Sequence, residues 1–289
     1  MKLALGTAQF GLNYGISNDQ GQVNFDEIKR ILALAKASCI TTLDTALAYG
    51  NSEENIGISG FSNHFSVITK ISASNNLSVE EQVKLSLSNL QREELDAVLF
   101  HDVAPLLNKP GENHFRQLET LKDTGIIKRI GVSVYTPEQL SLLSDMYNLD
   151  IVQAPLNWLD QRFIQPDVTN LLIKKSIKLH ARSIFLQGLL LQPEIQKRAY
   201  FSQFAHIFSK YNAIIEELEC DYLTFALAIV IQKAPYIESA VIGCCSEKQL
   251  IQLVQIYAHA KSLKLPSDDV LNSLSTSELA LINPSLWVS

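Results

Sequence analysis

Four side chains able to carry or steer a proton stand at or just beyond the ends of short apolar runs in this chain. Asp44 follows Ile40-Thr41-Thr42-Leu43, Lys70 follows Phe65-Ser66-Val67-Ile68-Thr69, His101 follows Ala97-Val98-Leu99-Phe100, and Tyr49 lies five residues beyond Asp44. A tyrosine titrates near ~10 and by itself gives up a proton poorly at neutral pH, whereas a neighbouring ammonium favours the phenolate. The set suits acid catalysis on a carbonyl. Tyr49 would donate the proton, Lys70 would stand beside it, Asp44 would keep the lysine charged and oriented, and His101 would point a hydrogen bond at the carbonyl oxygen. Taken singly, each residue has an ordinary use as a cap, a core edge or a solvated end; the weight lies in all four falling in register at strand ends.

For these side chains to meet, the runs must be parallel strands whose C-terminal ends open on one side. Eight short apolar runs fit: Leu3 to Gly6, Thr41 to Asp44, Val67 to Lys70, Ala97 to His101, Ile130 to Ser133, Ile151 to Ala154, Lys178 to Arg182 and Ala240 to Gly243. Between them, helical periodicity predicts helices over Asp26 to Ala37, Val79 to Leu90, Phe115 to Lys122, Pro137 to Tyr147, Pro166 to Lys175 and Glu247 to Ala260. Asn24 and Ser78 read as N-caps before first-turn acids, Asn51 or Ser52 as the cap of a short helix through about Gly57, and Gly125 as a stop. The stretch from Leu186 to Glu238 reads as extra helices around Phe201 to Glu219 and Tyr222 to Lys233. The expected fold is α/β, a (β/α)8 TIM barrel of one domain over residues 1–289, in which Asp44, Lys70, His101, Ser133, Gln153 and Arg182 converge on one open pocket. A doubly wound sheet is disfavoured because no GxGxxG element is present.

Composition narrows the function further. With 47% hydrophobic and 19% charged residues the chain can fill a large core, and a net charge of −6 with no basic stripe argues against nucleic acid as partner. No run approaches a membrane span, and no signal peptide is read at the start, so a cytoplasmic protein is expected. Cys39, Cys220, Cys244 and Cys245 show no metal-ligand spacing, and the histidines at 64, 114, 180, 206 and 259 are scattered, reading as solvated or core-edge residues. No metal site is expected.

The segment Asp44-Thr45-Ala46-x-x-Tyr49-Gly50-x-Ser52-Glu53, the opening Leu5-Gly6-Thr7-Ala8, and the order Asp44, Tyr49, Lys70, His101 resemble the aldo-keto reductase family from roughly Lys2 to Ala260. The resemblance implies a barrel enzyme that reduces aldehydes or ketones with NADP(H) or NAD(H). It implies cofactor contacts at Gly6, Thr7, Ser133 and Gln153, and again around the eighth strand at Gly243, Cys244, Ser246, Lys248, Gln249 and Gln252. Amide and hydroxyl side chains suit a nicotinamide carboxamide. This sequence also departs from the family pattern. Val134 replaces the asparagine after Ser133, Arg182 stands where an aromatic ring stacks on the nicotinamide, and Gln252-Leu253 replaces a Glu-Asn pair. Because a cation stacks poorly on an oxidised nicotinamide, Arg182 is read as a cofactor contact, as a receiver of a substrate anion, or as a surface or core-rim ion pair. Only Lys248 offers positive charge for a 2′-phosphate, which leaves the choice between NADP(H) and NAD(H) open. Trp158, Asp160 and Arg162, after the sixth strand, either shape the pocket or serve structure.

The reading that follows is an NAD(P)-dependent reductase of a small-molecule carbonyl, with the runs Gly131 to Tyr135 and Arg182 to Leu189 resembling a bacterial subgroup tied to sugar or surface-polysaccharide metabolism. Two other readings stand beside it. One is a cofactor-poor barrel serving as a binding or regulatory subunit, in the manner of the family's channel-associated members. The other is a sugar dehydratase or epimerase without net redox change.

Overall fold

Short runs rich in Val, Ile and Leu form strands buried on both faces, and the amphipathic stretches between them cover the outside. The computed structural model describes residues 2–233 and 236–287. Its strands are β1 (Lys2–Gly6), β2 (Thr42–Asp44), β3 (Ser66–Ile71), β4 (Ala97–Phe100), β5 (Ile130–Ser133), β6 (Ile151–Pro155), β7 (Lys178–Arg182) and β8 (Ile237–Gly243). They are joined in sequence order, all parallel, and β8 closes on β1, giving the expected (β/α)8 barrel. Around it lie α1 (Phe25–Ala37), α2 (Ser52–Ile58), α3 (Val79–Leu90), α4 (Lys109–Asp123), α5 (Pro137–Met146), α6 (Pro166–Lys174), α7 (Ala205–Glu217), α8 (Tyr222–Ala228) and α9 (Glu247–Ser262), with shorter turns between them.

Alternation along each strand sorts its residues into two layers. One alternate set, typified by Leu43, Val67, Val98, Val132, Val152 and Ala181, joins the large apolar cluster between sheet and helices. A separate small cluster of Ile68, Ala97, Leu99 and Ile151 fills the barrel interior. Continuing the inward series by two residues from Ile68, Leu99 and Ile151 arrives at Lys70, His101 and Gln153, so the strand period itself delivers polar groups above an apolar floor.

Caps fix the helices. The Asn24 side chain accepts from the Glu27 N–H, Ser78 and Glu81 form a reciprocal capping box, and Gly125 follows α4 at φ +78°. Asn51 occupies the cap position of α2 without capping it; its Oδ1 accepts instead from Gln22, at 2.6 Å. Several boundaries depart from expectation. Helix α4 begins at Lys109 rather than Phe115, because Gly111 can lie directly against the backbone of Leu106. β8 begins at Ile237, and the two extra helices start and end in tighter or wider turns, 3₁₀ over Ala199–Phe204 and π over Ile229–Lys233. His180 is buried inside the barrel rather than solvated or at a core edge, its Nε2 2.7 Å from Glu238 on the adjacent strand. No described helix is long and apolar enough to cross a membrane, and the described residues hold no cluster of His, Cys, Asp or Glu that could bind a metal.

Candidate active site

The loop after β2 is fixed before any catalytic group is placed. Thr7, just past β1, donates its hydroxyl to the Asp44 carbonyl at 3.0 Å, and the Ser52 hydroxyl reaches the Thr7 carbonyl at 2.8 Å. Gly11 and Gly50 allow the loop to settle on the first turn of chain after β1: a Cβ on Gly11 would lie 1.8 Å from the Tyr49 carbonyl oxygen, and Gly50 sits at φ +56°. The buried Glu53 ties α2 to β3 and α3, accepting from Thr69 at 2.5 Å and from Asn89 at 3.3 Å, and burial pushes its carboxyl pKa up.

Within that frame Lys70 is buried with 1% of its surface exposed, and its three ammonium hydrogens have three acceptors: Asp44 Oδ1 at 2.7 Å, the Thr45 carbonyl at 2.9 Å and the Tyr49 hydroxyl at 3.4 Å. Burial alone would lower the lysine pKa; the Asp44 carboxylate and Tyr49 outweigh it and hold Lys70 charged. The second oxygen of Asp44 accepts from Gln153 Nε2 at 2.6 Å. His101 meets the Tyr49 ring edge-on, with centroids 5.7 Å apart, and its backbone N–H is held by the Ile71 carbonyl. Burial, then the Lys70 ammonium, lower the His101 pKa to about 4, so the imidazole is neutral at physiological pH and able to give or take a hydrogen bond.

A cavity of about 420 Å³ opens above these groups. Gly6, Thr7, Asp44, Tyr49, His101, Ser133, Gln153, Arg182, Gly243, Cys244, Gln249 and Gln252 all contribute to its wall; Lys70 lies beneath it. Ser246 and Lys248 stand apart from the cavity. Ser246 caps α9 and lines a neighbouring groove with Glu27, and Lys248 is exposed. Trp158 stacks on Phe225 and donates to its carbonyl, and Arg162 pairs with Asp160 through two bonds of 2.7 Å, so these residues brace the loop after β6 outside the cavity. Tyr14, Tyr135 and Gln187 also line the cavity. Tyr135 and Gln187 fall in the two runs noted from sequence, but no periodicity outside the strands marks any of the three as facing the cavity.

The whole length from residue 2 to residue 270 matches the Aldo/keto reductase family. The chain belongs to that family. Aldo-keto reductase YhdN of Bacillus subtilis is 33% identical over 134 residues, a match covering 41% of this chain and 40% of that protein, so the alignment spans well under half the length of this curated relative. Among solved structures, aldo-keto reductase AKR11C1 of Bacillus halodurans in its holo form superposes with a TM-score of 0.72 at 18% identity, covering 99% of this chain and 94% of the other. PA4992 of Pseudomonas aeruginosa, described as an aldo-keto reductase, gives 0.66 at 22% identity, covering 89% and 90%. At these identities the superpositions speak for the barrel, and aldo-keto reductase membership rests on the family match.

Proposed function

We propose that this protein reduces an aldehyde or ketone by hydride transfer from a nicotinamide cofactor, with Tyr49 as the proton donor. One observation carries the reading: a buried ammonium lies between a buried carboxylate and a tyrosine hydroxyl at the floor of a cavity that also exposes a neutral histidine. The residues present suit a nicotinamide. The Ser133 hydroxyl and the Gln153 Oε1 make no hydrogen bond within the described protein and border the cavity, a donor and an acceptor for a carboxamide. When bound, that group supplies the hydride. The protein's part is to hold a carbonyl oxygen between Tyr49 and His101, to keep Lys70 charged through Asp44, and to deliver the tyrosine proton to the developing alkoxide. The amide side chains of Gln187 and Gln192 on the cavity wall favour a hydroxylated, sugar-derived carbonyl.

The adenosine end of the cofactor falls to the start of α9, and there NAD(H) is the better fit. Glu27 Oε1 accepts from the Glu247 N–H at 2.6 Å, Ser246 accepts from Gln249, and the Gln249 side chain accepts from the Cys245 N–H. Three backbone donors near a 2′-phosphate position are already used, one of them by a carboxylate that such a phosphate would have to displace, which leaves Lys248 as its remaining partner there. Titration with NADH and NADPH, followed by turnover of an aldehyde panel, tests the reading; a protein that binds neither nucleotide is not the proposed enzyme.

A further inference from the structure

Arg182 ends β7 and, among the described residues, is the only lysine or arginine on the cavity wall. Its guanidinium donates from Nη1 to Ser183 Oγ at 3.2 Å and from Nη2 to the Val134 carbonyl at 3.0 Å, and its Cζ lies 4.2 Å from the centre of the Tyr135 ring. No carboxylate among the described residues pairs with it, whereas Arg30, Arg92, Arg129 and Arg162 each have one, in Glu27, Asp96, Glu238 and Asp160, and Arg116 and Arg198, which have none, are exposed. Two of its five N–H donors are used, and the rest are free at the cavity wall.

The backbone around this half-buried cation is held as firmly as the catalytic loop. The Leu156 N–H donates to the Arg182 carbonyl at 2.9 Å, and Asn157 donates to the Ser183 carbonyl at 3.1 Å. Ser183, Leu186 and Gln187 then take positive φ values of 58°, 47° and 54°, a concentration of backbone strain at the cavity rim. The cavity's two acids do not answer the charge: Asp44 is taken by Lys70 and Gln153, and Asp19 is exposed on its wall. A half-buried guanidinium with free N–H donors and no carboxylate partner is a ready receiver for an oxyanion that a ligand supplies.

We propose that Arg182 receives an oxyanion of the substrate, a carboxylate or phosphate, so that the preferred substrates are anionic aldehydes or ketones. The proposal rests on the carbonyl-reductase reading above. An oxyanion can also come from the cofactor's pyrophosphate; the substrate is assigned because the same wall carries Tyr49 and His101, while the cofactor's phosphates belong toward α9.

Matched probes decide it. For 4-carboxybenzaldehyde against 4-methylbenzaldehyde, and 4-oxobutanoate against butanal, the parent prefers the anionic member by about 10- to 100-fold in kcat/KM, the scale of one charge-assisted contact. Arg182→Gln brings that ratio to within about threefold of unity and Arg182→Lys keeps part of it, since the charge survives without the planar fork. Independently of turnover, 4-(hydroxymethyl)benzoate, the reduced product of the first probe, raises the melting temperature of the parent and not of Arg182→Gln, while NADH and NADPH affinities stay within about threefold. An unchanged ratio in Arg182→Gln overturns the proposal. So does a tenfold loss of both nucleotide affinities with the ratio intact, which would give Arg182 to the pyrophosphate. A parent that reduces no carbonyl refutes the enzymatic reading instead, and the melting-temperature comparison still decides the anion site.

Discussion

Separating the buried charges of Asp44 and Lys70 has a calculable consequence. Lys70→Met keeps most of the side-chain volume but leaves the Asp44 carboxylate, 3% exposed, with only the Gln153 amide, and deprives the Thr45 carbonyl of its donor. Asp44→Asn leaves a fully buried ammonium facing a carbonyl and a phenol. Stranding one member of a buried ion pair costs about 3–5 kcal/mol, and an unmet carbonyl adds about 1 kcal/mol. At roughly 2 °C per kcal/mol for a chain of this size, Asp44→Asn should melt about 6–10 °C below the parent and Lys70→Met, which also strands the Thr45 carbonyl, about 8–12 °C below it. The double variant removes both charges and should lose about 2–4 kcal/mol less than the sum of the singles. Urea unfolding followed by far-ultraviolet circular dichroism measures all four proteins. Additivity within about 0.5 kcal/mol would refute the claim that the two charges are mutually dependent.

The neutral state of His101 predicts a second result. The unfolded chain takes up its proton near the ordinary 6.5 and the folded chain only near 4, so stability is complete above 6.5 and falls as pH is lowered through that window. The loss should reach up to about 3 kcal/mol at pH 4, and a His101→Gln variant should lose that much less; an NMR titration of His101 with a midpoint between 6 and 7 would contradict this. Gly11→Ala should destabilise by about 2–3 kcal/mol and lower kcat/KM at least about tenfold, since the new methyl meets the Tyr49 carbonyl; Gly60→Ala, which meets no neighbouring atom but strains a φ of +78°, should lower stability and leave kcat/KM alone, and so serves as the control. Glu27→Gln should shift the NADPH-to-NADH affinity ratio toward NADPH by about threefold to tenfold, and an unmoved ratio would remove Glu27 from cofactor choice.

Much of the barrel was legible because several apolar runs carry a polar residue at or next to their C-terminal ends, Asp44, Lys70, His101, Ser133 and Arg182, that a buried run cannot otherwise explain. The convergence of Asp44, Lys70 and Gln153 was legible from their places toward strand C-terminal ends, and the strand boundaries at β5 and β7 coincide with those read from sequence. What escaped was non-local. Nothing around His180 in the sequence reveals Glu238, a partner brought by β8, and nothing around Gly11 reveals that Tyr49 lies against it. The stacking of Arg182 on Tyr135 joins the ends of two strands that are not neighbours in sequence, and Glu27 meets the start of α9 only when β8 closes on β1. The early start of α4 escaped for a local reason: Pro110 and Gly111 interrupt the helical periodicity ahead of Phe115, yet proline is at home in a helix's first turn and the glycine permits close packing.

Tyr49→Phe tests the central claim most directly, because it deletes one hydroxyl and little volume. The measurement is the rate at which reduced nicotinamide is consumed with an aldehyde substrate, parent beside variant, together with nucleotide affinity by fluorescence quenching. With Tyr49 as proton donor, the variant turns over at least about 10²-fold more slowly while NADH and NADPH affinities stay within about threefold. A variant that reduces the same aldehyde at the parent's rate would show that the proton comes from elsewhere, and the assignment of Tyr49, Lys70, Asp44 and His101 to the chemistry would fall with it.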